Sequence, residues 1–89
     1  MSKLDAKEVA DRPVGRERVQ EARLQAGGVH WGGARPITHL TTDKTKTSSI
    51  GSHIVVADEL SLHPAGIMIN IGSETFIIPH SRIEYYKLA

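Results

Sequence analysis

The chain has no cysteine, and its 89 residues include only one tryptophan, one phenylalanine and two tyrosines. Without thiols it has neither the disulfides nor the thiolate–metal knots that hold many small secreted domains together. With so few aromatic rings the core falls to aliphatic side chains. A chain this short buries only about 60–65% of its unfolded surface, so a stand-alone core is thin. Neither charge sign dominates: 11 Lys and Arg face 10 Asp and Glu, a formal net charge of +1. That balance implies no nucleic-acid or membrane partner by charge alone. No apolar run approaches the ~18 residues of a membrane span, and Met1-Ser2-Lys3-Leu4-Asp5 leads into no signal-peptide core. The expectation is one small cytoplasmic domain with no membrane partner.

The signatures of catalysis are missing as well. The sequence has no phosphate loop ending in Lys-Ser/Thr, no nucleophile elbow, no His-Glu-x-x-His and no dinucleotide fingerprint. Gly27-Gly28 and Gly32-Gly33 neither follow an evident strand nor open a helix. His80-Ser81 are neighbours only in sequence, which says nothing of a nucleophile–base geometry. The reading is therefore non-enzymatic, with no catalytic residue and no cofactor.

What is present divides near Pro36. Every isoleucine lies at or beyond Ile37, as do both tyrosines and the phenylalanine. The front is rich in Ala, Arg and Glu and reads as helical; the back is β-branched and reads as strands. Ser2 and Asp11 serve as candidate N-caps, Pro13 suits a first helical turn, and Gly27-Gly28 ends a helix over 12–26. Val19, Ala22 and Ala26 share a face of that helix, while Leu24 falls off it. Arg12, Arg16, Arg18 and Arg23 form a partial basic stripe, with interspersed acids that favour a solvated face over phosphate contact. Such a helix buries little and must dock on something.

The second half carries the clearest pattern. Ile67–Ile71 and Glu74–Ile78 flank Gly72-Ser73, a two-residue turn of the II′ kind with glycine first. With Ile71 opposite Glu74, the residues Ile67, Ile69, Phe76 and Ile78 fall on one face. Met68 meets Ile77 and Asn70 meets Thr75 on the other. Further strands are expected over Ile37–Thr42, His53–Ala57, Leu60–Leu62 and Arg82–Leu88, with 43–49 as a solvated loop and Pro64-Ala65-Gly66 as a turn. The predicted fold is α+β. Residues 1–36 form an N-terminal helical arm and Gly-rich linker, and residues 37–89 a small antiparallel sheet or partly open barrel of four or five strands.

Four groups of residues are candidates for function. Gly27–Pro36 sets the only Trp between two glycine pairs. Trp31, His30 and Arg35 are the types that anchor interfaces, and Trp31 equally suits a lid on the core. Met68 and Ile77 make the second face of the hairpin half apolar, a face for a helix or another subunit to cover. The five histidines, His30, His39, His53, His63 and His80, with Asp58 or Glu59, invite a metal reading. No two sit at short zinc-site spacing, so scattered structural roles are favoured. Finally, Phe76-Ile77-Ile78-Pro79-His80-Ser81-Arg82-Ile83 after a hairpin resembles the Sm/Hfq-like small barrels over about the last quarter of the chain. That resemblance implies an RNA-contacting rim at His80 and Arg82. The favoured reading is a small binding or assembly protein of bacterial or phage character, working with a protein partner as part of a homo-oligomer or larger complex. Its binding residues are Trp31, His30, Arg35, Met68 and Ile77. The alternatives are a nucleic-acid-binding barrel and, third, a metal-dependent protein.

Overall fold

A computed structural model of the protein describes residues 3–5, 16–31, 35–46 and 53–89. The architecture is nearly all β: eight strands in one sheet curled into a half-barrel. The strands are β1 (Lys3–Asp5), β2 (Arg18–Leu24), β3 (His39–Thr41), β4 (Ile54–Val56), β5 (Glu59–His63), β6 (Gly66–Ile71), β7 (Glu74–Pro79) and β8 (Ile83–Leu88). A single 3₁₀ turn, His80–Arg82, joins β7 to β8. The main path runs β1-β8-β2-β5-β6-β7, with β3 on β2 and β4 on β3.

Among the described residues the expected helical arm is not there. Lys3–Asp5 is a strand against β8, and the stretch read as a helix over 12–26 contains β2, the strand on which the sheet divides. The reason is local. Pairing with β8 shifts between Val19 and Glu21, a bulge at Gln20. One extra residue converts the alternating pattern of a strand into a spacing of three between Val19 and Ala22, which imitates a helix. Leu24, off the helical face, is on the core face of the strand, and Val19, Ala22 and Leu24 are all buried. The caps proposed at Ser2 and Asp11, and Arg12, Pro13 and Gly32-Gly33, lie outside the described residues. Gly27 and Gly28 do take positive φ, 91° and 61°, but in a turn that follows a strand, closed by Gly28 N–H donating to the Gln25 carbonyl.

Poor strand formers occupy β2 because their charges are matched across the sheet. On the outer face Arg18 faces Glu59 at 3.5 Å, Glu21 faces Lys87 at 3.4 Å and Arg23 faces Glu84 at 3.4 Å. Each exposed pair contributes about 0–1 kcal/mol, but together they remove the like-charge conflict of a basic stripe. Arg18 and Arg23 are thus committed to partners on neighbouring strands rather than aligned on a helix.

The β6–β7 hairpin has the expected register, Ile71↔Glu74, Ile69↔Phe76 and Ile67↔Ile78, with Met68↔Ile77 and Asn70↔Thr75 opposite. Gly72 has φ 59°, as the first central residue of the turn requires. Strand count and direction differ from the expectation of four or five antiparallel strands. There are eight among the described residues, and β3 runs parallel to β4. The core consists of rows that cross the concave face, in register: Val19–Leu60–Ile69–Phe76, Leu62–Ile67–Ile78, and Tyr86–Ala22–Leu40–Val55.

Asp58, considered above as a metal ligand, ties three loops together. Its carboxylate accepts Lys44 Nζ at 2.6 Å and the Gly72 N–H at 2.7 Å, while Lys44 also donates to the Ala57 carbonyl. The Lys44 hydrogen bond, then the Gly72 N–H and the Lys44 charge, hold the Asp58 carboxyl below the usual carboxylate range. A carboxylate with a depressed folded pKa adds stability above its unfolded value and loses it as pH falls through the folded one. Asp58→Asn is therefore expected to be less stable than wild type at neutral pH, with the gap closing below about pH 4. Urea midpoints from pH 7 to 3 measure this. A constant gap assigns the loss to something other than ionisation.

Candidate functional site

The half-barrel is open between β4 and β7, and Trp31 sits in the opening. Its ring meets Phe76 edge-on, with centroids 4.6 Å apart and planes at 64°. The segment that carries it is fixed by a two-way backbone bridge: Val29 N–H donates to the Ile37 carbonyl, and Ile37 N–H to that of Val29. Trp31 packs against the core yet keeps part of its surface, so it is both lid and wall. With Val55, Ile71, Glu74 and Phe76 it lines an apolar groove of about 280 Å³. Val55 and Phe76 are core-face residues at the ends of their rows, where no further strand covers them, and Ile71 lies beside them at the turn end of β6, opposite Glu74.

A second cleft, about 460 Å³, lies along the C-terminal end of β7 between Gly28-Val29-His30 and Ile77-Ile78-Pro79, with Arg82 at its rim. It brings together His30, Ile77 and Arg82, three residues singled out from sequence. Ile77 is 44% exposed, the one exposed large hydrophobic side chain among the described residues. Met68 is half-buried beside it on the outer face, opposite Ile77 in the ladder. Arg35 is exposed and lines neither groove.

His80 is not on a rim. It is 9% exposed, and both ring nitrogens are engaged, Nδ1 with the Tyr86 hydroxyl and Nε2 with the His63 carbonyl at 2.7 Å. A carbonyl only accepts, so Nε2 carries the proton, and in the neutral ring Nδ1 accepts from Tyr86. Burial pushes the Tyr86 hydroxyl well above its ordinary value, which keeps it a donor. His63 Nδ1 accepts the Ala65 N–H at 3.0 Å, so this chain of bonds ties the β5–β6 turn to β8.

The other histidines are dispersed. His39 Nδ1 bonds Thr38 Oγ1 at 2.8 Å, His53 Nδ1 donates to the Pro36 carbonyl at 3.1 Å, and His30 is exposed. Among the described residues no three His, Asp or Glu side chains converge on a point that would hold a metal ion. No protein-family model, curated protein or solved structure matches this chain.

Sequence reasoning picked out Trp31 and Ile77 by residue type. It missed Val55, Ile71, Glu74 and Phe76 as groove walls, because only the closure of the sheet decides which core-face residues end at an opening. The one available signal was the II′ hairpin itself, which placed Phe76 and Ile71 on the same face.

Proposed function

We propose that the protein is a non-enzymatic binding and assembly module whose working face is the open side of the half-barrel. The observation that carries this reading is the position of Trp31. It sits against Phe76 at the mouth of the sheet, flanked by an apolar groove on one side and the His30–Ile77–Arg82 cleft on the other. An apolar groove and a mixed polar–apolar cleft beside a long strand edge suit an extended protein segment with apolar side chains. A thin core adds a reason to associate, because a partner that binds the folded form alone stabilises it. The partner class is protein, and a further copy of the chain is the simplest source.

Native mass spectrometry and light scattering test this. The expected mass is a multiple of the 9.7 kDa chain, and Met68→Lys, on the outer face beside Ile77, should move the population toward monomer. A stable monomer indifferent to that change would remove assembly from the reading.

A further inference from the structure

Strand β7 ends the main path of the sheet, and its far side has no paired strand among the described residues. The other strands lying at an edge, β1 and β4, are three residues long, whereas β7 has six. The turn determines which of its backbone groups are free. In a two-residue hairpin the closing pair, here Ile71 and Glu74, exchanges hydrogen bonds, and the pattern then alternates. Glu74, Phe76 and Ile78 point their N–H and C=O groups at β6, so those of Thr75 and Ile77 point away from the sheet. Pro79, which has no N–H, falls at a position where β6 needs none.

Natural edge strands are usually protected by a lysine, a central proline or a bulge. Thr75-Phe76-Ile77-Ile78 has none of these. Charge appears only at the two ends. Glu74 is exposed at one, and among the described acidic side chains it alone has neither hydrogen bond nor ion pair. Arg82, at the other, is exposed and has no ion-pair partner among the described residues. An edge with one sign at each end is complementary to itself when turned through a two-fold axis.

We propose that β7 is the docking edge for a second copy of this chain, paired antiparallel, β7 to β7, about a two-fold axis beside Ile77. The Ile77 backbone groups of the two copies bond each other across the axis, and the Thr75 N–H of each donates to the Pro79 carbonyl of the other. Ile77 and Met68 of the two copies join in one apolar stripe on the outer face, and Glu74 of each copy lies against Arg82 of the other. This rests on the assembly reading above and names its partner and its surface.

The test is light scattering across a dilution series of wild type, Glu74→Arg, Arg82→Glu and an equal mixture of the two variants. Each variant alone sets like charges against each other twice, and its dimer dissociation constant should rise at least about tenfold. The mixture should restore the wild-type affinity, because each variant then supplies the charge the other needs. Ile77→Pro, which removes an outward-pointing N–H and no bond to β6, should also yield monomer. Trp31 emission in each variant reports whether the half-barrel is intact. If wild type assembles but neither charge reversal weakens it and mixing changes nothing, the β7 edge is not the interface, although assembly stands. A wild-type monomer at all concentrations overturns both.

Discussion

Gly66→Ala is expected to destabilise the protein by about 3 kcal/mol or more, with a denaturant midpoint far below that of wild type. A Cβ at Gly66 would collide with the carbonyl oxygen of Ile78, and would lie 2.7 Å from the Ile78 carbonyl carbon and 2.9 Å from Pro79 Cα. All three atoms are backbone, so no side chain can rotate away. Relief requires β7 to separate from the start of β6, which breaks the rows that Ile67 and Ile78 contribute to the core. Gly27→Ala is the comparison. Nothing lies within 4 Å of the point a methyl group would occupy there, and only the φ of 91° opposes a side chain. Its cost should be about 1–2 kcal/mol. Equal losses at the two sites would mean that the close approach at Gly66 does not determine its identity.

Tyr86 should give the second large effect. It is fully buried on β8, the strand between β1 and β2, and Tyr86→Ala is expected to cost about 3–5 kcal/mol through the cavity it leaves. Tyr86→Phe keeps the ring and removes only the hydroxyl. That change should still cost about 1–3 kcal/mol, because His80 Nδ1 is left buried without a donor while Nε2 stays bound to His63. A double-mutant cycle with His80→Ala separates the hydroxyl–imidazole bond from the packing of each ring. Additive losses would show that the bond itself contributes nothing to stability.

The hairpin was legible in sequence because one element supplied all the information. Alternation from Ile67 to Ile78 sets the faces, and Gly72 sets the turn, so the register follows with no knowledge of the rest of the chain. The β2 strand was not legible for the opposite reason. Its outer face is Arg18, Glu21 and Arg23, residues that favour helix in isolation, and their cross-strand partners Glu59, Lys87 and Glu84 are remote in sequence. Tertiary pairing overrode propensity, and the bulge at Gln20 disguised the period. The parallel pairing of β3 with β4 likewise depends on where a third strand lies.

The candidate site divides along the same line. Trp31, His30, Ile77 and Arg82 were visible as residue types; the fold sets Trp31 in one groove and gathers His30, Ile77 and Arg82 in another. The inward turn of His80 was not visible, because the carbonyl that receives its proton belongs to His63, seventeen positions away. Nor was the Lys44–Asp58–Gly72 clamp, whose members come from three separate loops.

The place of β8 in the sheet has a consequence for the order in which the molecule can form. Among the described strands β8 comes last in the chain, yet it lies between β1 and β2, the first two. Until Ile83–Leu88 has been synthesised, β1 has no strand to pair with, and one edge of β2 stays bare along its length. The β5–β6–β7 meander is built from segments joined by short turns and can organise early, whereas β2–β3 and β3–β4 pair across longer connections. Folding is then a late, long-range closure around a C-terminal strand, the kind of topology in which loop entropy is lost before contacts repay it. Throughout that interval the nascent meander presents β7 as an open edge, and β5 as a second one until β2 pairs with it.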